Sequence, residues 1–172
     1  SSADAAHAGH ASAVAFARTR TSCFAEDQAD KRNVEQQAIL AKVDLFWGLV
    51  KDGNAKGVLS EVQKDPQVLR RRGPVGETPL HMLVLFSHFE LAKAIASRYP
   101  VLAVDKYLGA IYRGENCLHI AIVQRDIDMV RFLLETSSAD GTLEQLLSAR
   151  ADGDFFAKGT PCFYGEYPLG FA

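Results

Sequence analysis

The chain has 172 residues, 48% of them hydrophobic and 23% charged, with a formal net charge of -2. That balance gives one domain with a sizeable core, argues against a general nucleic-acid or membrane-surface binder, and contains no run of eighteen apolar residues that would span a bilayer. Cys23, Cys117 and Cys162 are odd in number, widely spaced and without a C-x-x-C pair, which fits free thiols in a reducing compartment.

Residues 1–30 are rich in Ala and Ser and bury too little to offset chain entropy, so they read as a flexible N-terminal tail. Asp4, Glu26 and Asp27 and the lack of an apolar segment disfavour a targeting peptide. His7-x-x-His10 has no third ligand nearby and is ordinary tail sequence. From residue 31 the pattern changes. Val34, Ala38, Ile39 and Val43 share one stripe of a helix over 31–43. Phe46-x-x-Leu49-Val50-x-x-Gly53-Asn54 follows as a helix and its turn, with Trp47 as a packing residue, and Lys64-Asp65-Pro66 ends the next helix. Arg70-Arg71-Arg72 reads as a solvated basic turn.

Residues 76–83, Gly-Glu-Thr-Pro-Leu-His-Met-Leu, carry the signature T-P-L-H-x-A, with Leu83 where Ala is usual; this is the ankyrin signature. The frame recurs at Gly114-Glu115-Asn116-Cys117-Leu118-His119-Ile120-Ala121 and at Gly165-Glu166-Tyr167-Pro168-Leu169-Gly170-Phe171-Ala172. Gly permits the entering turn. Thr78 caps the first helix, and Pro79 sits in its first turn, where a missing N–H is harmless. Leu80 and Leu83, then Leu118, Ala121 and Ile122, form the inner-helix stripes. Second helices follow over 90–97, with Leu91 and Ile95, and over 128–135, with Met129, Val130, Leu133 and Leu134. Phe46 precedes Leu80 by 34 residues, near the ankyrin period of roughly 33. The expected fold is therefore all-α: a solenoid of stacked helix pairs with long finger loops and no appreciable sheet. It occupies residues 31–172, as about three repeats plus the start of another. The chain opens Ser-Ser and stops at Ala172 within a first helix, so it reads as a piece of a longer protein.

The next two offsets, 38 residues from Gly76 to Gly114 and 51 from Gly114 to Gly165, exceed that period and place insertions in the fingers. Tyr112-Arg113-Gly114-Glu115-Asn116-Cys117-Leu118-His119-Ile120-Ala121-Ile122-Val123 resembles the corresponding repeat of vanilloid-type transient receptor potential channels. So does Ala149-Arg150-Ala151-Asp152-Gly153-Asp154-Phe155-Phe156, as that family's long finger. Phe163-Tyr164-Gly165-Glu166-Tyr167-Pro168-Leu169 matches the opening of its next repeat. The resemblance covers residues 45–172, more strongly after Gly73. It implies the cytosolic N-terminal ankyrin module of a tetrameric, calcium-permeable cation channel at the plasma membrane. The membrane would be touched only through a C-terminal pore domain. Implied partners are neighbouring subunits, in a homo- or hetero-tetramer, and regulatory proteins such as calmodulin. A soluble ankyrin adaptor is the alternative.

Thr78, His81 and His119 occupy structural positions of the repeat, which removes Cys117-x-His119 as a metal pair. Repeat geometry puts Leu85, Phe86, Tyr112, Arg113 and Glu115 on the partner-facing side, with Pro74, Val75, Glu77, Val123, Gln124 and Glu166 around them. Phe155, Phe156, Phe163 and Tyr164 form an aromatic finger expected to meet a neighbouring subunit. No phosphate loop, nucleophile motif or paired-carboxylate pattern occurs, so no enzyme, cofactor or metal is expected. Some members of the resembling family bind ATP on the concave face, through lysines in one repeat and an aromatic with polar residues in the next. Tyr112 and Arg113 match that pattern. Glu77 and Met82 stand where those members place lysines, Glu115 where they have Gln, and Val123 where they have a polar partner. The exchange of positive for negative charge predicts that ATP does not bind.

Overall fold

Asn54 shows how the chain starts and stops its helices: its Oδ1 accepts the Gly57 N–H at 2.9 Å and begins α2, Ala55–Lys64. These details come from a computed structural model that describes residues 32–157 and 165–172. The chain divides into two compact units, Ser1–Leu45 and Phe46–Ala172. In the first, residues 32–45 are helical, but Val34 and Ile39 of the expected stripe are exposed. No second described element of that unit covers them.

The second unit opens with helical residues 46–51 (α1). Asp65 closes α2, and its side chain accepts the Gln67 N–H at 3.0 Å, turning the chain into a 3₁₀ turn over Pro66–Arg70. Then come α3, Pro79–Leu85, and α4, Phe89–Arg98, with a 3₁₀ turn over Pro100–Val104. α5, Cys117–Val123, pairs with α6, Ile127–Asp140. Two short helices follow, α7, Leu143–Leu147, and α8, Asp154–Ala157. α3 packs on α4 and on α5, α5 on α6, and α4 on α6, so each helix pair lies against the next. The described residues hold no strand, only the isolated bridges Lys106–Asn116 and Ala151–Glu166. This is the all-α ankyrin-repeat solenoid that the spacing predicts.

The repeat register is also written in the backbone. Gly53, Ser87 and Arg125, at the three turns between inner and outer helices, all take positive φ, near 60°. One core runs through the stack: Phe46 and Val50 from α1, Leu80 and Leu83 from α3, Leu91 and Ile95 from α4, Leu118 and Ala121 from α5, Met129 and Leu133 from α6. Each large side chain so buried contributes roughly 2 kcal/mol. Ile122, expected on the inner stripe, is only partly buried and also packs against a smaller cluster of Ala151, Phe156 and Phe171.

The fingers are held by main-chain bonds. Residues 105–116 fold back on themselves through Tyr107 N–H to the Glu115 carbonyl at 2.8 Å and Gly114 N–H to the Tyr107 carbonyl at 3.1 Å. This finger reaches back to the previous one: Leu108 and Gly109 N–H donate to the Gly76 and Val75 carbonyls at 3.2 and 3.1 Å. The following finger reaches back in turn, Asp154 and Phe155 donating to Ala110 and Ile111 at 2.8 and 2.9 Å. Pro168–Phe171, expected to open a first helix, instead forms a 3₁₀ turn, Ala172 N–H bonding to Leu169 at 3.2 Å. Five residues from Pro168 cannot build an α-helical ladder.

Candidate functional site

The three residues read as structural sit where the signature puts them. Thr78 caps α3, and His81 completes a capping box: its Nδ1 accepts the Thr78 N–H at 3.0 Å. The ring proton therefore lies on Nε2, which donates to the Asp105 carbonyl at 3.1 Å and ties the inner helix to the next finger. Burial, with Arg72 nearby, pulls the His81 pKa down to about 3, so the ring is neutral. His119 repeats the box with Asn116, whose N–H reaches Nδ1 at 3.2 Å and whose Nδ2 donates to the Leu146 carbonyl at 2.8 Å. Burial lowers His119 to about 4. Its Nε2 points toward the Glu166 backbone without hydrogen-bond geometry, and its ring meets Phe171 edge-on at 4.7 Å.

Arg72 departs from the expected solvated turn. Its Nη1 donates to the Gly76 and Lys106 carbonyls at 3.0 and 2.7 Å, and its Nη2 lies 3.5 Å from Asp105 Oδ1. It clips one finger to the next, while Arg71 stacks over Phe46 at 5.8 Å. Asp105, pushed up by burial against the opposing pull of Arg72 and Arg70, keeps Oδ2 unpartnered among the described residues.

Between the α3 and α5 repeats lies a cavity of about 370 Å³. Of the residues expected on the partner-facing side it gathers Leu85, Tyr112 and Glu115 with Val75, Glu77, Val123 and Gln124, and it adds Met82, Tyr107 and Ile120. Tyr107 is buried under His81 at a ring distance of 4.6 Å and meets Tyr112 edge-on at 5.7 Å. Nothing in the pattern marked Tyr107, because its place depends on how the finger folds back. Glu77 lines the cavity but is largely buried, its Oε2 accepting the Val75 N–H at 2.9 Å inside the turn. Burial pushes Glu115 up to about 7. Gln124 donates to the Leu85 carbonyl at 2.8 Å and links the two repeats at the cavity edge.

The other expected site residues lie elsewhere. Phe86 is exposed and stacks near His88, whose Nε2 rests on the Lys51 carbonyl at 2.8 Å. Arg113 pairs with Asp152 at 2.8 Å, across two fingers. Phe155 is 53% exposed and touches Tyr112 at 5.2 Å, as an exposed finger aromatic should. Phe156 is only 6% exposed, because α8 turns it inward onto Phe171 at 5.8 Å. Phe163 and Tyr164, like Cys162 and the tail histidines, lie outside the described residues. Cys117 is fully buried and its thiol is raised well above the ordinary range, first by burial, which leaves it inert. No group of three metal-ligating side chains occurs among the described residues, and no described helix is long and apolar enough to cross a membrane.

Comparison with known proteins places this arrangement. The ankyrin-repeat family, in three copies, matches residues 46–145. The human transient receptor potential cation channel subfamily V member 6 is 30% identical over 146 residues, 83% of this chain and 18% of the relative. The rat subfamily V member 5 is 33% identical over 117 residues, 66% of this chain and 15% of the relative. The guinea-pig (Cavia porcellus) subfamily V member 1 is 45% identical over 69 residues, 38% of this chain and 7% of the relative. The chain thus spans less than a fifth of the length of these relatives. Fold, repeats and relatives point to a non-enzymatic protein-interaction domain. The chain belongs to the ankyrin-repeat family, in a form similar to the vanilloid-type transient receptor potential cation channels.

Proposed function

We propose that residues 31–172 are the cytosolic assembly and regulatory module of a tetrameric, calcium-permeable cation channel, preceded by a tail over 1–30. The observation that carries this reading is the similarity to a cation-channel subunit over 146 residues, 83% of this chain. The module acts by protein contact. Its contact residues on this reading are Leu85, Phe86, Tyr112, Arg113, Glu115, Phe155, Phe163 and Tyr164, an apolar and aromatic set with added charge, a composition suited to interfaces. Phe156, turned inward, meets the Phe155 ring edge-on at 5.4 Å. Neighbouring subunits are its first partners and a regulatory protein such as calmodulin the second, at the cytosolic side of the plasma membrane.

The test is to follow the transcript past Ala172 and express the chain it encodes. Six apolar spans of about 20 residues each, with cation conductance and a tetramer on the membrane, support the reading. A frame that closes without such spans makes the protein a soluble adaptor and overturns it.

A further inference from the structure

We propose that the cavity between the α3 and α5 repeats is a binding site for a small organic cation, a primary amine carried on an aromatic or branched aliphatic body. This goes beyond the channel reading and does not depend on it. The volume, about 370 Å³, falls in the range of small-molecule sites. Met82, Leu85, Ile120 and Val123 give it apolar walls. Tyr107 and Tyr112, set edge to face at 5.7 Å, offer ring faces that attract a cation.

Charge decides the sign of the ligand. The lining carries Glu77, Glu115 and the two tyrosines as its ionisable groups, and no Lys, Arg or His. Glu77 is engaged by the Val75 N–H. No hydrogen bond or ion pair among the described residues engages the Glu115 carboxylate, which sits in a wall that penalises its charge. A half-buried carboxylate beside two aromatic rings lacks only its counter-ion. An ammonium group supplies that counter-ion, and the apolar walls take the body. An anion of the same size would meet two carboxylates and no donor cation.

The groups facing Glu115 are Glu77 from the preceding repeat, Tyr107 and Tyr112 from the finger, and Cys117 at the start of α5. None brings positive charge. The empty site therefore holds Glu115 partly protonated at neutral pH, with its pKa near 7. Binding a cation displaces that proton. Affinity should rise about tenfold between pH ~6 and pH ~8, as the ionised fraction rises from about a tenth to about nine tenths.

The experiment is calorimetric titration of the 172-residue chain with 2-phenylethylamine, protonated throughout this range, against its neutral isostere 2-phenylethanol. We expect a saturable one-to-one isotherm for the amine, tighter at the higher pH, and binding of the alcohol at least about tenfold weaker. Glu115→Gln should remove both the preference for the amine and the pH dependence. Val123→Lys, at an exposed position of the cavity wall, should keep the parental circular dichroism and weaken the amine by a similar factor. Non-saturable amine binding, equal binding of amine and alcohol, or Val123→Lys with parental affinity would overturn the proposal. So would a folded Glu115→Gln that binds as the parent does. Each of these outcomes is independent of whether a pore follows Ala172.

Discussion

Two neutral histidines locked into capping boxes should make this fold acid-sensitive well above the usual carboxylate range. His81 and His119 are wholly buried, and burial holds their folded pKa values near 3 and 4 against 6.5 unfolded. As pH falls below about 6.5, the unfolded chain takes up two protons that the folded chain refuses. Each histidine then removes about 1.4 kcal/mol of stability per pH unit. Glu115 works in the opposite direction: with a folded pKa near 7 against 4.5, it holds a proton in the fold that the unfolded chain has not yet bound. It returns about 1.4 kcal/mol per unit over the same window. Asp105, also raised, adds to the offset at the acid end. The excess of protons on the unfolded chain, rising toward one, lowers stability by about 1.5 kcal/mol between pH ~6.5 and pH ~5. In Glu115→Gln the offset is gone, and the loss over that window becomes about 3 kcal/mol, each unfolded histidine being half protonated at its start. That is a large part of the stability of an ordinary domain. Urea unfolding followed by far-ultraviolet circular dichroism at stepped pH measures both slopes. A stability that stays flat or rises as pH falls, or equal slopes in parent and Glu115→Gln, would refute the reasoning.

Further outcomes follow from single contacts. Phe156→Ala should lose about 3 kcal/mol by emptying its pocket against Phe171, whereas the exposed Phe155→Ser should shift the melting temperature little and instead lower the sedimentation coefficient of any assembly. Gly109→Ala should lose about 1–3 kcal/mol in chemical denaturation, because its methyl would meet the Val75 carbonyl of the neighbouring finger. Gly48→Ala, in a helix with nothing within 4 Å, should gain roughly 0.5–1 kcal/mol in the same assay. ATP at up to roughly 1 mM should give no saturable heat with the parent chain, since two carboxylates line the face it would need.

What the sequence makes legible here is whatever a residue does to its near neighbours. Thr78, Pro79 and His81 act within one helical turn, so their capping roles can be read off the signature, and the helix pairs follow from apolar spacing alone. Loop-to-loop geometry has no such local mark. Phe155 and Phe156 look alike in the chain, yet the bonds from Asp154 and Phe155 to Ala110 and Ile111 set α8 so that only Phe155 faces outward. Glu77 looks like a surface acid but folds back on its own turn. Arg72 reads as one of three equivalent arginines until two finger backbones converge on it. The cavity beside Glu115 depends on all of these together, so its outline has no mark in the pattern, although repeat geometry puts most of its lining on one face; Tyr107 is the member that only the folded finger supplies.

The main-chain stitching of the fingers has an evolutionary consequence. Because each finger recognises the previous one through the carbonyls of Val75, Gly76, Ala110 and Ile111, side-chain identity at most finger positions is free to drift. Spacing is not: an inserted residue between two stitched carbonyls would put every later amide out of step with its acceptor. Divergence along this surface should therefore be fast in composition and slow in length, with growth confined to the tips. A lineage could repaint the face that meets its partners while keeping the frame on which it is painted.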